Sequence, residues 1–277
     1  MPTKKTNPEV RVLYMLPHQL HRAREACPLV ILPVAPLEWH GPHLTVGVDP
    51  INAERVALAL AGRVGGVVLP TLFAGTERER PPRELESLGF ARDAHVIGMD
   101  FPKAKGIYPS FYIPEEMFAQ MLRSWLEGCL DHGYRHLFIV NGHGAINHRA
   151  VIERLCVEFS HKRPGVKAAW NMAFPKRFVD AGSIGHADKI ETAITRYYGE
   201  DLVDLSKLPP VGEKLKYGDH SIVDSGGFDG KPGEGHTVIP DSDPRQGADA
   251  EFGRAIFEET VADLARQVKS TFALAVG

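Results

Sequence analysis

Cysteine is scarce in this chain of 277 residues: Cys27, Cys129 and Cys156 are widely spaced and form no Cys-x-x-Cys pair. That argues against a disulfide framework and a thiolate-built structural zinc site, and the three thiols are expected to be reduced and structural. Long apolar runs are missing as well. No uninterrupted apolar stretch reaches the roughly 20 residues that a membrane-spanning helix needs, and Met1 to Asn7 lacks the apolar core of a secretory signal. The expectation is a cytoplasmic protein without a membrane partner. Nor is there an excess of charge of one sign: 32 Lys and Arg stand against 35 Asp and Glu, a net charge of −3. This removes the electrostatic case for binding nucleic acid or an anionic surface. Internal repeats and low-complexity tracts are absent too. A hydrophobic content of 43% and a charged content of 24% are ordinary for a globular protein, and the length suits one large domain over residues 1–277.

What the chain does have is Glu38-Trp39-His40-Gly41-Pro42-His43 with Asp49 close behind. Two carboxylates and two imidazoles within a dozen residues are metal-ligand chemistry rather than core chemistry. Just ahead, Leu29–Val34 is an apolar, β-branched run that reads as a buried strand feeding into the cluster. In extended chain, side chains at i and i+2 point the same way, so Glu38 and His40 can converge while Trp39 faces away. Carboxylate oxygen together with imidazole nitrogen suits Zn, Mn or Fe(II). Each member also has a plainer reading. Asp49 precedes Pro50 and an apolar-periodic segment, so it could be only a helix N-cap, and a lone His is usually a surface or hydrogen-bonded residue.

Further along, strand-like and helix-like segments alternate. Helices are expected over residues 50–63, 114–132, 150–159, 190–198 and 244–268, and strands over 67–72, 136–141 and 166–172. This order implies an α/β fold whose mainly parallel sheet is covered by helices on both faces. Two long irregular loops interrupt it, at 74–113 and 205–240; loops of that size are usually lids, binding loops or subunit contacts. The first carries a charged run with Arg78, Arg80 and Arg83, which reads equally well as a solvated surface or as a substrate contact.

A second constellation, Asn141-Gly142-His143-Gly144-Ala145-Ile146-Asn147, follows the third strand directly. Its spacing matches neither dinucleotide nor P-loop glycine patterns, so His143 at that turn is better explained as a ligand beside the first cluster. The third constellation is His186-Ala187-Asp188-Lys189-Ile190-Glu191. Five helical residues separate side chains by about 140°, so His186 and Glu191 converge only if His186 lies before a helix and Glu191 in its first turns. Taken alone, a loop His and a Glu at the positive end of a helix would be the preferred account.

With these three ordered motifs in place, the chain resembles the creatininase, or creatinine amidohydrolase, family from roughly residue 29 to 204, with support from Asp243-Pro244-Arg245. The resemblance implies a three-layer α/β/α fold, a metal centre of one or two divalent ions (Zn, Mn or Fe) per subunit, and hexamers built from dimers. By the same resemblance Glu38, His40, Asp49 and His143 are metal ligands, with Asp49 as the bridge. Glu191 completes or orders the site, and His186 is the catalytic histidine. Two departures stand out. Ala145 occupies the position where creatininase itself has a glutamate ligand, so a second ion relies on Glu191 or binds weakly. The family's Phe-Pro-Gly-Thr segment is here Phe101-Pro102-Lys103-Ala104. The expected activity is hydrolysis of a C–N bond in a cyclic or linear amide by metal-bound hydroxide, with His186 as acid/base and Arg78, Arg80 and Trp39 as substrate contacts. Two alternatives are C–C cleavage of a cyclic sugar-derived diketone and a catalytically silent metal-binding assembly protein.

Overall fold

The computed structural model describes residues 9–87, 90–101, 108–182, 184–213, 215, 217–218, 221–222 and 242–274. Most of the second long loop, and residues 102–104 of the substituted family segment, lie outside the described residues. The helices are α1 (Pro17–Ala26), α2 (Val48–Val64), α3 (Pro82–Ser87), α4 (Glu115–Asp131), α5 (Ile146–Lys162), α6 (Lys176–Ala181), α7 (Lys189–Tyr198) and α8 (Ala250–Phe272). Strands β1 (Leu29–Val34), β2 (Val67–Val68), β3 (His136–Asn141) and β4 (Lys167–Met172) form one parallel sheet in the order β2-β1-β3-β4. The α/β class and its mainly parallel sheet are as the alternating sequence implies.

β1 shows why the sheet is sandwiched. All six of its residues are buried, and alternate ones face opposite layers because successive side chains of a strand point to opposite sides. Val30, Leu32 and Val34 pack with Phe118, Leu122 and Leu126 of α4 and Ile152, Leu155 and Phe159 of α5. Leu29 and Ile31 pack with Val56 and Leu60 of α2 and Val261, Leu264 and Val268 of α8. Fully burying one such aliphatic side chain is worth about 1.5–3 kcal/mol, so a central strand apolar on both faces anchors the whole domain. β1 and β3 run in register to Val34 opposite Asn141. Both therefore end at the same level, and the first two motifs emerge side by side.

Several expected boundaries move, for physical reasons. Residues 67–72 give a two-residue strand followed by an isolated bridge from Val34 to Leu72; Pro70 lacks the N–H a longer ladder would need. The last helix begins at Ala250, not at Pro244. The Asp243 carboxylate turns back on the Arg245 backbone N–H and guanidinium, and Asp249 caps the helix by accepting from Phe252 N–H. Asp49 is not an N-cap either, since Gly47 holds that position and Asp49 lies in the first turn of α2. The described part of loop 74–113 carries α3, and its Leu85, Val96, Met99 and Phe101 form a small apolar cluster with Trp39. Helix α1, with no buried residue, had no apolar stripe to read. Among the described residues no helix is long and apolar enough to cross a membrane.

Candidate metal centre

The segment after β1 is held by the loop behind it. Phe111 N–H donates to the Leu37 carbonyl, and Trp39 N–H donates to Ser110 Oγ. Pinned this way, Glu38 and His40 turn into the space beyond the sheet. The Tyr112 hydroxyl donates to Glu38 Oε1, which leaves Oε2 to face the other groups. His40 Nδ1 lies 3.0 Å from the Glu38 carbonyl oxygen. A carbonyl only accepts, so Nδ1 carries the ring proton and the bare Nε2 points inward, as a ligating imidazole requires.

Asp49 reaches the same space from the first turn of α2. Its Oδ1 lies 3.2 Å from His40 Nε2 and its Oδ2 lies 3.3 Å from His143 Nδ1, so the two oxygens serve different imidazoles. His143 arrives from the turn after β3, which Asn141 locks. Asn141 Oδ1 accepts from the His143 backbone N–H, and Asn141 Nδ2 donates to the His143 carbonyl. The same Oδ1 accepts from His148 Nε2 at 3.0 Å. His143 Nδ1 also stands 3.4 Å from Glu38 Oε2.

α7 supplies the last wall. Asp188 caps it by accepting from Ile190 and Glu191 N–H. Ala187 adopts a positive φ of 56° just before it. That kink lets Ala187 N–H donate to Glu191 Oε2 at 2.5 Å, and Glu191 Oε2 lies 3.7 Å from His40 Nε2. His186 precedes the kink, so it and Glu191 do converge on one site. Its Nε2 donates to the Trp39 carbonyl at 2.7 Å, which leaves Nδ1 bare, 3.6 Å from Glu38 Oε2.

Two buried three-donor groups result, Glu38 with Asp49 and His143, and His40 with Asp49 and Glu191; Asp49 belongs to both. A third group joins Glu38, His40 and His186. Two ligands at about 2.0–2.2 Å from one ion at a tetrahedral angle stand roughly 3.3–3.6 Å apart, close to the separations here. The charges agree. Glu38, Asp49 and Glu191 are each less than 5% exposed, and among the described residues their ion pairs are with histidines alone. Three carboxylates sharing a dry space repel unless a cation joins them. His40 Nε2, the nitrogen that faces Asp49 and Glu191, is buried without a hydrogen-bond partner. The donor set fits a divalent ion.

The electrostatics of the bare side chains carry the same message. Burial opposes charge on His40, but Asp49, Glu191 and Glu38 outweigh it and push its pKa up to about 10. Burial resists ionisation of Glu38, yet His143, His186 and His40 hold it well below the carboxylate range. Glu191 goes the other way, raised by burial and by Asp49 and Asp188. Burial and the neighbouring His40 bring His186 down to about 4, so it is neutral near pH 7.

Other sequence candidates fall elsewhere. His43, the second imidazole of the opening motif, joins none of the three groups. It packs against Thr192 Oγ1 at 3.2 Å and is pushed down to about 3, first by burial. The Trp39 ring sits in the apolar cluster against Phe101 and is not among the residues that line the cavity over the site. Arg78 and Arg80 do line that cavity, which has a volume of about 570 Å³. The Arg80 guanidinium is engaged with the Gly98 carbonyl, Met99 Sδ and the Phe101 ring. Arg83 is exposed and does not line it. Tyr112, His148 and Arg149 were not singled out in the sequence; each matters only through its tertiary position.

Comparison with known proteins adds an independent line. Residues 14–268 match the model of the family described as creatininase, creatinine amidohydrolase. A curated relative, 3-dehydro-scyllo-inosose hydrolase of Thermotoga maritima, is 28% identical over 126 residues. That match spans 46% of this chain and 33% of the relative. Among solved structures, a creatinine amidohydrolase superposes with a TM-score of 0.68 at 21% identity, covering 96% of this chain and 99% of the other. A structure described as creatininase Mn gives 0.67 at 20% identity, with the same coverage. A putative creatinine amidohydrolase from Bacteroides fragilis gives 0.63 at 20%, covering 98% and 100%.

Proposed function

The chain belongs to the creatininase family, and from that premise we propose that it is a divalent-metal-dependent hydrolase that cleaves the C–N bond of a cyclic or linear amide. The observation that carries this reading is the split carboxylate of Asp49, one oxygen facing His40 and the other His143, in the middle of two donor groups. Glu38, Asp49 and His143 would hold one ion, and His40, Asp49 and Glu191 a second; Zn, Mn and Fe all suit such oxygen and nitrogen donors. An ion held there supplies Lewis acidity, lowering the pKa of water towards neutrality and polarising a carbonyl.

The chain's own groups do the rest. Tyr112 and the Glu38 carbonyl fix the orientations of Glu38 and His40, so the donors need not reorganise when charge develops. His186 is held by the Trp39 carbonyl through Nε2, which leaves Nδ1 to accept a proton from the attacking water. The water oxygen bonds to the carbonyl carbon, the C–N bond breaks, and the proton stored on Nδ1 passes to the leaving nitrogen. Apolar residues Met172, Phe174, Phe178 and Ile184 along the cavity would exclude bulk water from the reacting atoms.

A second reading has one specific observation behind it. The curated relative is named for hydrolysis of an oxidised inosose, and the same groups suit C–C cleavage of a cyclic sugar-derived diketone. Metal analysis of the purified protein, followed by turnover of lactams, formamides and cyclic diketones with and without chelator, separates the readings. Chelator-sensitive hydrolysis of an amide supports the first, and hydrolysis of diketones alone supports the second. Bound metal with turnover of none of them overturns both in favour of a silent metal-binding protein.

A further inference from the structure

Arg149 stands one turn inside α5 and lines the cavity over the centre. An arginine that merely covers apolar surface keeps its guanidinium in water. Arg149 is half-buried, and its Nε is shut off from solvent with no hydrogen-bond partner among the described residues. Nε and a terminal nitrogen form the side of the guanidinium fork that grips a carboxylate or phosphate through two parallel hydrogen bonds. The N-terminus of α5 adds its partial positive charge on that side of the cavity. The helix that carries Arg149 has no side-chain cap and no acidic residue in its first turn, and its leading residues Gly144, Ala145 and Ile146 line the same cavity.

Resting on the hydrolase reading above, we propose that Arg149 binds an anionic group of the substrate, a carboxylate lying away from the scissile bond, and so sets the substrate class as amides bearing a carboxylate. A carboxylate is favoured over a phosphoryl group by the rest of the lining. Five of its described residues are carboxylic acids, Glu38, Asp49, Glu77, Glu79 and Glu191, against the three arginines Arg78, Arg80 and Arg149. A singly charged ligand meets less repulsion there than a doubly charged one. The apolar residues Phe174, Phe178 and Ile184 of the same cavity leave room for a carbon chain between the anion and the amide.

The test uses a matched pair of probes, succinamate and succinamide, with inorganic phosphate as a third. Titration calorimetry is run first on chelator-stripped protein, so that metal coordination by the carboxylate cannot mimic the effect and failure of the hydrolase reading leaves the result intact. Wild type is expected to bind succinamate at least tenfold more tightly than succinamide, and Arg149→Gln to lose that preference with an unchanged melting temperature, whereas Arg149→Lys keeps part of it. Equal binding of the two amides, or a preference that survives Arg149→Gln, overturns the proposal. Phosphate binding more tightly than succinamate overturns the choice of a carboxylate. In metal-loaded protein, any turnover of the pair reads the hydrolase proposal separately.

Discussion

Gly142 lets the backbone of Asp49 come against the turn after β3: a Cβ added at 142 would lie 2.3 Å from the Asp49 carbonyl oxygen. The contact ties the start of α2 to the turn that carries His143, so the central carboxylate of Asp49 and the imidazole beside it are registered through bare backbone. Gly142→Ala must push them apart by far more than a ligand set tolerates, since ligand distances hold within about 0.2 Å. The expected outcome is a folded protein with at least tenfold weaker metal binding, read by metal content after dialysis. Full metal retention would show that the contact does not set the site.

His186 is expected to act on protons without holding the metal. His186→Ala should lower kcat by about 10²–10⁴, the usual range for a general acid/base, while metal content stays at the wild-type level. Loss of metal in that variant would instead favour a ligand role through the bare Nδ1 beside Glu38 and His40.

His43 makes a prediction with a definite sign. Its folded pKa is pushed down to about 3, first by burial and then by His40 and His186, against about 6.5 when unfolded. Below pH 6.5 the unfolded chain takes up a proton here that the folded chain refuses, so stability falls as pH drops from about 6.5 towards 3. In chelator-stripped protein His43→Gln should remove about 2 kcal/mol of the loss between pH 6.5 and 4.5. Urea midpoints at the two pH values measure it; parallel losses in both proteins would contradict it.

Gly253 plays for α8 and α7 the part that Gly142 plays for α2. A Cβ there would lie 1.9 Å from the Ala193 carbonyl oxygen. Gly253→Ala is expected to cost roughly 1–3 kcal/mol, the scale of overpacking a tight interface, seen as a lower denaturation midpoint. An unchanged midpoint would mean that the two helices separate freely.

What could be read in the sequence follows from what is local. β1 and β3 were legible because strands buried on both faces are continuous apolar runs. The motif residues were legible because Glu38, His40, Asp49, His143 and Glu191 sit at the ends of those strands and at helix starts, where short-range chemistry is unusual. Other features are set by distant chain. Tyr112 is one tyrosine in a long loop until it meets Glu38, 74 residues away. Trp39 pointed away from the ligands as alternation predicts, but into a cluster with Leu85 and Phe101 that no local pattern announces. The start of α8 slipped because an ion pair between Asp243 and Arg245 occupies the residues that looked like its first turn.

Asp49 belongs to two donor groups and, in the reading proposed above, joins them into one metal centre. Calorimetric titration of Mn²⁺ or Zn²⁺ into chelator-stripped protein, wild type against Asp49→Asn, tests it most directly. Tight binding is expected in the wild type, with loss of at least a hundredfold in affinity in the variant for every ion bound and the variant still folded. Metal binding of wild-type strength in Asp49→Asn, or none in the wild type, would contradict it.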